Sequence, residues 1–318
     1  MNRSNSSRYL KLFLLVSLLI ALLLAACDDD DDDNGQAATP EATEAAEVTI
    51  GLSVSTLQNP FFVSLQEGAE AAAKRLGVTL VVEDAGDDAH QQTTQIQSLI
   101  DQGVSVLLIN PVGGDAVVAA IEAANEAGVP VFTIDRSASG GEVVSHIASD
   151  NLAGGKMAGD YLAESLGKTG KIVELQGIPG TSAAEARGAG FNEAMEAYPD
   201  MELVAQETAN FDRAEGQTVF AQILEEQDEI DGVFAHNDEM ILGAIEAAKE
   251  ADRAGDIQFV GFDAVEDAIT ALEEGDLLAT VAQQPAEMGR LGVEAAVAYL
   301  NGEDVEDFIP VDLALITK

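Results

Sequence analysis

The chain has 318 residues but one cysteine, no tryptophan and three histidines. A lone cysteine, Cys27, excludes an intrachain disulfide, so the fold must rest on its core. His90, His146 and His236 stand far apart and show no metal-ligand spacing. Positive charge is scarce as well, with 15 Lys and Arg against 57 Asp and Glu and a formal net charge of −42. Such a field opposes binding to nucleic acid or to anionic lipid. Beyond the first 27 residues there is no long apolar run, which excludes a polytopic membrane protein. No G-x-x-x-x-G-K-[ST] occurs, which excludes a P-loop ATPase.

What is present begins with a basic segment carrying Arg3, Arg8 and Lys11, an apolar stretch from Leu12 to Leu24, and Ala25-Ala26-Cys27. This is the layout of an export signal. Leu24-Ala25-Ala26-Cys27 is similar to the lipobox of bacterial and archaeal lipoproteins, so residues 1–26 are expected to be removed and Cys27 to be lipidated. Two acyl chains, at about 0.8 kcal/mol per buried methylene, make a stable anchor on the outer face of the membrane. Six aspartates, Asp28 to Asp33, and a Gly/Ala/Thr/Glu-rich stretch follow. Charge this dense cannot bury apolar surface, so 27–47 reads as an acidic flexible tether, of which 28–46 span at most about 65 Å. Loss of the three basic residues with the signal takes the net charge from −42 to −45. Seven lysines among so many acids suggest adaptation to high salt, where screening relieves self-repulsion.

From Val48 onward, short apolar runs alternate with amphipathic stretches. Strands are expected at Val48–Ser55, Val78–Glu83, Val104–Asn110, Val129–Asp135 and Val143–Ala148, with helices at Pro60–Leu76, His90–Gln102 and Asp115–Ala127 between the first four. The rhythm restarts after Asp150, with helices over 152–166, 183–197, 213–227 and 239–252 leading to strands over 171–175, 202–208, 232–235 and 257–262. A late strand at Leu277–Gln283, a helix over 285–301 and a last strand at Val311–Thr317 close the chain. Alternation of this kind predicts an α/β protein with two doubly wound parallel-sheet lobes. The late elements look surplus to the second lobe, and their return to the first would make a multi-strand hinge with a ligand cleft between the lobes.

Ligands of open α/β sheets bind at the carboxyl ends of the strands. The first half places Ser55, Asn59, Phe61, Phe62, Asp135 and Arg136 there. The second places Arg187, Phe211, Asn237, Asp263 and Gln283. Asp accepts paired hydroxyl protons, Arg donates to hydroxyl oxygens, Asn and Gln do both, and phenylalanine covers apolar C–H faces. The set suits a small polyol. Each residue also has a plainer reading: Phe61-Phe62 as core, Asp135-Arg136 as a surface pair, Arg187 as the counterion of Glu185, and Asn237-Asp238 as a helix cap.

The run VSTLQNPFFVSL (54–65) resembles the opening of the D-ribose-binding proteins of sugar ABC importers, which belong to the type I periplasmic binding proteins. So do LLINP (107–111), GEVVSHIASDN (141–151), ELQGIPGTSAAEARGAGF (174–191), FDR (211–213), NDEM (237–240), VGFD (260–263) and TVAQ (280–283). The resemblance implies ribose contacts at the same eleven positions named above. Phe61, Phe62 and Phe211 would pack on the sugar, supported by Phe262, and the other eight would supply polar contacts. It also implies one lobe from 48–149 plus 284–312 and another from 150–283 plus 313–318. His236 departs from the family's glutamine, and Pro179 sits in the Gly-Thr-Ser loop; neither is among the contacts.

The resemblance further implies a monomer that needs no cofactor or metal and delivers its sugar to an ABC permease with its ATPase; a role in chemotaxis does not follow. An enzyme is disfavoured. Gly180-Thr181-Ser182 lacks a base partner, and Asp135 and Asp263, the only paired carboxylates in view, are expected to be held ionised by Arg136 and Arg187. A sugar-sensing repressor of the same fold would need a basic helix-turn-helix, which this acidic chain lacks. A different ligand remains the serious rival: allose, xylose, arabinose, galactose or a furanosyl signalling molecule.

Overall fold

A computed structural model describes residues 47–318; the expected export signal, Cys27 and nearly all of the acidic stretch lie outside the described residues. The chain runs β1 (Thr49–Val54), α1 (Pro60–Leu76), β2 (Thr79–Asp84), α2 (Ala89–Asp101), β3 (Val106–Ile109), α3 (Val118–Glu126), β4 (Val131–Ile134) and β5 (Ser145–Ser149). It continues through α4 (Asn151–Ser165), β6 (Gly170–Gln176), α5 (Ser182–Glu196), β7 (Met201–Thr208), α6 (Arg213–Glu226), β8 (Gly232–Ala235), α7 (Asp238–Glu250) and β9 (Gln258–Asp263). Last come α8 (Glu266–Glu274), β10 (Ala279–Ala282), α9 (Pro285–Leu300), β11 (Phe308–Val311) and β12 (Ala314–Thr317).

Two six-stranded sheets result, ordered β11-β5-β4-β3-β1-β2 and β12-β10-β9-β8-β6-β7. Every pairing is parallel except β10 with β12. The inner strands β3 and β8 are apolar along their whole length because both faces are covered. Val106 and Leu108 of β3 join the core under α1 and α9, whereas Leu107 and Ile109 join the core under α2 and α3. The second sheet divides in the same way: Ile172 and Phe234 face α4 and α5, while Val173 and Val233 face α6 and α7.

Strand order reverses beside β1 in one sheet and beside β6 in the other. The carboxyl ends of β1 and β3, and of β6 and β8, therefore form the crevices where such sheets hold ligands. Sheet membership changes three times along the chain: between β5 and β6, between β10 and β11, and between β11 and β12. Helix α9 returns to the first sheet and lies so close to α1 that a Cβ on Gly289 would stand 2.0 Å from the Leu65 carbonyl oxygen.

Three expectations need correction. The strand expected at Val311–Thr317 is two strands, one in each sheet, separated by Asp312-Leu313. β10 is not surplus to the second sheet but pairs with β9 there. Helix α8 was not foreseen; it is short and has no side-chain cap, although Ala268, Ala271 and Leu272 are spaced for one buried face.

Candidate functional site

On the first lobe, Asn59 caps α1, its Oδ1 accepting from Phe61 N–H at 2.9 Å with Pro60 at the first helical position. The cap fixes Phe61 and Phe62 in the first turn, where their rings meet edge to face at 5.1 Å. Asp135 and Arg136 follow β4. Asp135 has φ +63°, a left-handed backbone costly for a residue with a Cβ, as is common where a site demands a particular aim. Its Oδ2 accepts from Asn110 Nδ2 at 3.0 Å, while Asn110 Oδ1 accepts from Ser55 N–H at 3.1 Å. One asparagine thus ties the ends of β1, β3 and β4 together.

On the second lobe, Arg187 of α5 donates from Nε to Asn151 Oδ1 at 2.8 Å and from Nη1 to the His236 carbonyl at 2.5 Å. Nη1 also lies 3.5 Å from Asp263 Oδ1, and the guanidinium sits 3.8 Å from the centroid of Phe262. Gln283 Nε2 donates to the same Asp263 oxygen at 2.8 Å. Asn237 caps α7 through Oδ1 and donates from Nδ2 to the Phe211 carbonyl at 3.1 Å. Phe211 has φ +61° and Asp263 φ +120°. The Phe211 ring rests over Gly177, where a Cβ would stand 2.0 Å from the ring.

Asn59, Phe61, Phe62, Asp135, Arg136, Arg187, Phe211, Asn237, Asp263 and Gln283, together with Ala183, line one cavity of about 260 Å³, mouth included. Ser55 is not in its wall; it is fully buried beneath, with its N–H on Asn110. The plainer readings mostly give way. Asp135 and Arg136 are 3% and 4% exposed, so they are no surface pair, and Arg187 pairs with Asp263 rather than Glu185. Phe61 and Phe62 are both core and wall, and Asn237 is both cap and wall. Phe262 lies beneath the Arg187 guanidinium and is not itself in the wall.

The lobes meet around this cavity. Gly114 N–H donates to the Gly180 carbonyl at 3.2 Å, and Ser137 N–H to Ser182 Oγ at 2.9 Å. The guanidinium of Arg136 stands 5.3 Å from the ring of Phe62 in its own lobe and 5.3 Å from Phe211 of the other. Ser55 Oγ, Arg136 Nε and Gln283 Oε1 are buried without a protein hydrogen-bond partner. Two of these belong to the wall, and such atoms are costly unless a polar ligand or water meets them.

Burial is the largest influence on both cavity carboxylates and raises them. It pushes Asp263 up to about 7 despite Arg187, and raises Asp135 despite Arg136 and Arg187. Burial thus works against the expected hold of the arginines on both acids, desolvation being the largest influence on each. The same burial lowers Arg136 and Arg187. Among the described residues no group of His, Cys, Asp and Glu could hold a metal ion, and no helix is long and apolar enough to cross a membrane. Ser182 Oγ, in the loop considered for a nucleophile, accepts the Ser137 N–H across the cleft.

Sequence reasoning overlooked Ala183, which carries no polar signal, and Asn110, whose place in LLINP hid its role beneath the charges. It also overlooked Asn151, which orients Arg187.

Residues 50–304 match the family model described as "Periplasmic binding protein domain". The chain is 48% identical over 282 residues to the "Ribose import binding protein RbsB" of Escherichia coli (strain K12), covering 89% of this chain and 95% of that one. It is 47% identical over 272 residues to the Bacillus subtilis (strain 168) protein of the same name, covering 86% and 88%. A solute-binding protein from Actinobacillus succinogenes with bound D-allose superposes with a TM-score of 0.81 at 29% identity, covering 86% of this chain and 98% of that one. The fold, its two crevices and these matches together establish that the chain belongs to the periplasmic binding protein family.

Proposed function

We propose that the protein captures D-ribose between its two closing lobes and delivers it to the permease of an ABC importer. The observation that carries this reading is the cavity itself: bidentate charged side chains and phenylalanines from both lobes converge on one lining. A pentose has about ten heavy atoms, and micromolar binding requires about −8 kcal/mol. That approaches the ceiling of roughly −1.5 kcal/mol per atom for the best small ligands. Neutral hydrogen bonds, at about 0.5–1.5 kcal/mol net, fall short, whereas bonds to charged groups reach about 1.5–3. Two arginines and two aspartates in one wall supply such bonds.

In this reading Asp135, Arg136, Arg187, Asn237, Asp263, Gln283 and Asn59 hold the hydroxyls, and Phe61, Phe62 and Phe211 cover the ring. Ser55 contributes from behind Asn110. The lobes are residues 48–149 plus 284–312 and residues 150–283 plus 313–318. Cys27 carries lipid after removal of 1–26, so the protein works as an anchored monomer outside the cytoplasmic membrane, in a saline habitat, without cofactor or catalysis. A second reading changes only the sugar. It is favoured by relatives that hold others, such as the arabinose importer component of Shewanella sp. ANA-3 bound to L-arabinofuranose, with a TM-score of 0.80 at 33% identity over 84% of this chain.

Calorimetry at high salt with ribose, allose, arabinose, xylose and galactose tests both. Tightest binding of ribose supports the first reading. Tight binding of another sugar with none of ribose transfers the assignment to that sugar, and no heat with any of them removes the cavity as a monosaccharide site.

A further inference from the structure

Directly behind the second-lobe wall lies a buried polar group that touches no cavity space. His236 and Glu174 are 1% and 0% exposed. His236 Nε2 lies 2.7 Å from Glu174 Oε1, and Gly177 N–H donates to His236 Nδ1 at 3.3 Å. Because Nδ1 accepts, the single ring proton belongs on Nε2, where it is donated to the carboxylate. Glu174 Oε2 in turn accepts from Gln206 Nε2. The ring, just past the end of β8, is thereby clamped to the end of β6 with both nitrogens committed.

Three walls of the cavity hang on this residue. The His236 carbonyl accepts from Arg187 Nη1. Gly177, whose N–H the ring binds, is the residue over which Phe211 lies. The next residue, Asn237, holds the Phe211 carbonyl. From the other side, α5 presses Gly188 on the pair: a Cβ there would stand 3.2 Å from both Glu174 Oε1 and His236 Cε1. Helix α5 also carries Arg187, so the pair sets how deeply the guanidinium can sit.

We infer that His236, clamped by Glu174, is a positioning residue that fixes Arg187 and Phe211 for the sugar without touching it. The inference rests on the sugar-binding reading of the cavity. The ring's task is to accept from Gly177 and donate to Glu174, which a glutamine amide can also do and a leucine cannot.

The test compares the full chain with its His236→Gln, His236→Leu and Gly188→Ala variants. Calorimetry with the panel of five sugars is paired with thermal unfolding and with solvent exchange of the Arg187 Nε–H followed by NMR in the ligand-free protein. His236→Leu should lower affinity about 10- to 100-fold for every sugar the parent binds and speed Nε–H exchange, while His236→Gln stays within about threefold on both measures. Gly188→Ala, which raises helix propensity, should leave the unfolding temperature unchanged or higher yet still weaken binding by about threefold or more. This variant carries the test if His236→Leu fails to fold. Affinity and exchange in His236→Leu like those of the parent would overturn the inference. So would Gly188→Ala binding as tightly as the parent, or His236→Gln falling as far as His236→Leu. A parent that bound none of the sugars would count against the proposed function instead, and the exchange comparison would still decide whether His236 positions Arg187.

Discussion

Arg187 is bonded to Asn151 and the His236 carbonyl, stacked on Phe262 and facing Asp263. Arg187→Ala would leave the buried acceptors of Asn151, His236 and Asp263 without this donor, so sugar binding should weaken by about 2–5 kcal/mol in calorimetry. Asp263 behaves differently because its carboxyl is pushed up to about 7 by burial. Below about pH 4 it is protonated folded or unfolded and contributes no pH dependence. Between about 4 and 7 the folded chain retains a proton that the unfolded chain has released, so this residue makes stability fall as pH rises, with its full cost present above 7. Asp263→Asn should flatten that slope and raise ligand-free stability above pH 7 by about 1–2 kcal/mol, the gain limited by the lost partner of Arg187. It should also weaken sugar binding by about 1.5–3 kcal/mol, the worth of a charged hydrogen bond. Thermal unfolding from pH 4 to 8 and calorimetry at pH 8 check the two effects. Asp263 was legible in the sequence because charge at the end of an apolar strand is conspicuous, and Arg187 because it stands near a helix start. Their burial was not legible, since it depends on both lobes closing over them, and Ala183 offers no chemical mark at all.

At the scale of the element, the strand–helix alternation was readable because parallel strands covered on both faces become continuous apolar runs, as in Val106–Ile109 and Gly232–Ala235. The ends of the chain were harder. Whether β10, β11 and β12 join one sheet or the other is decided by pairing with strands far away in sequence, which local pattern does not record. The turn after β6 shows how an element shapes the site. Phe211 cannot withdraw by moving its backbone, because its φ of +61° is held by the Asn237 bond to its carbonyl. A Cβ on Gly177 would therefore drive the ring off the strand end and out of the cavity. Gly177→Ala should weaken sugar binding by about 1–2 kcal/mol through lost stacking on the sugar and on the arginines. The overpacked turn should cost about 1–3 kcal/mol of stability, read from denaturant unfolding.

For the whole molecule, the net charge of −42 makes the folded state repel itself. Stability to urea should therefore rise as NaCl increases from about 0.1 M, where the Debye length is about 10 Å, to 1 M, where it is about 3 Å; equal stability across the series would remove the case for a saline habitat. Closure is the other property that belongs to no single lobe. The bonds from Gly114 to the Gly180 carbonyl and from Ser137 to Ser182 Oγ join the lobes outside the cavity wall, so they favour the closed state whatever sugar is bound. Ligand and closure are thermodynamically linked: apparent affinity is intrinsic affinity multiplied by the population that can close. Ser182→Ala removes one acceptor from the closed state alone, a loss of about 1 kcal/mol and hence about fivefold in closure. Every sugar the protein binds should weaken by that same factor, with the ranking among them preserved and the loss appearing as faster release in stopped-flow measurements. Arg187→Ala, acting inside the cavity, should change the ranking as well as the affinity. A Ser182→Ala variant that weakened one sugar and spared another would show that this hydroxyl reads the ligand rather than closing the lobes.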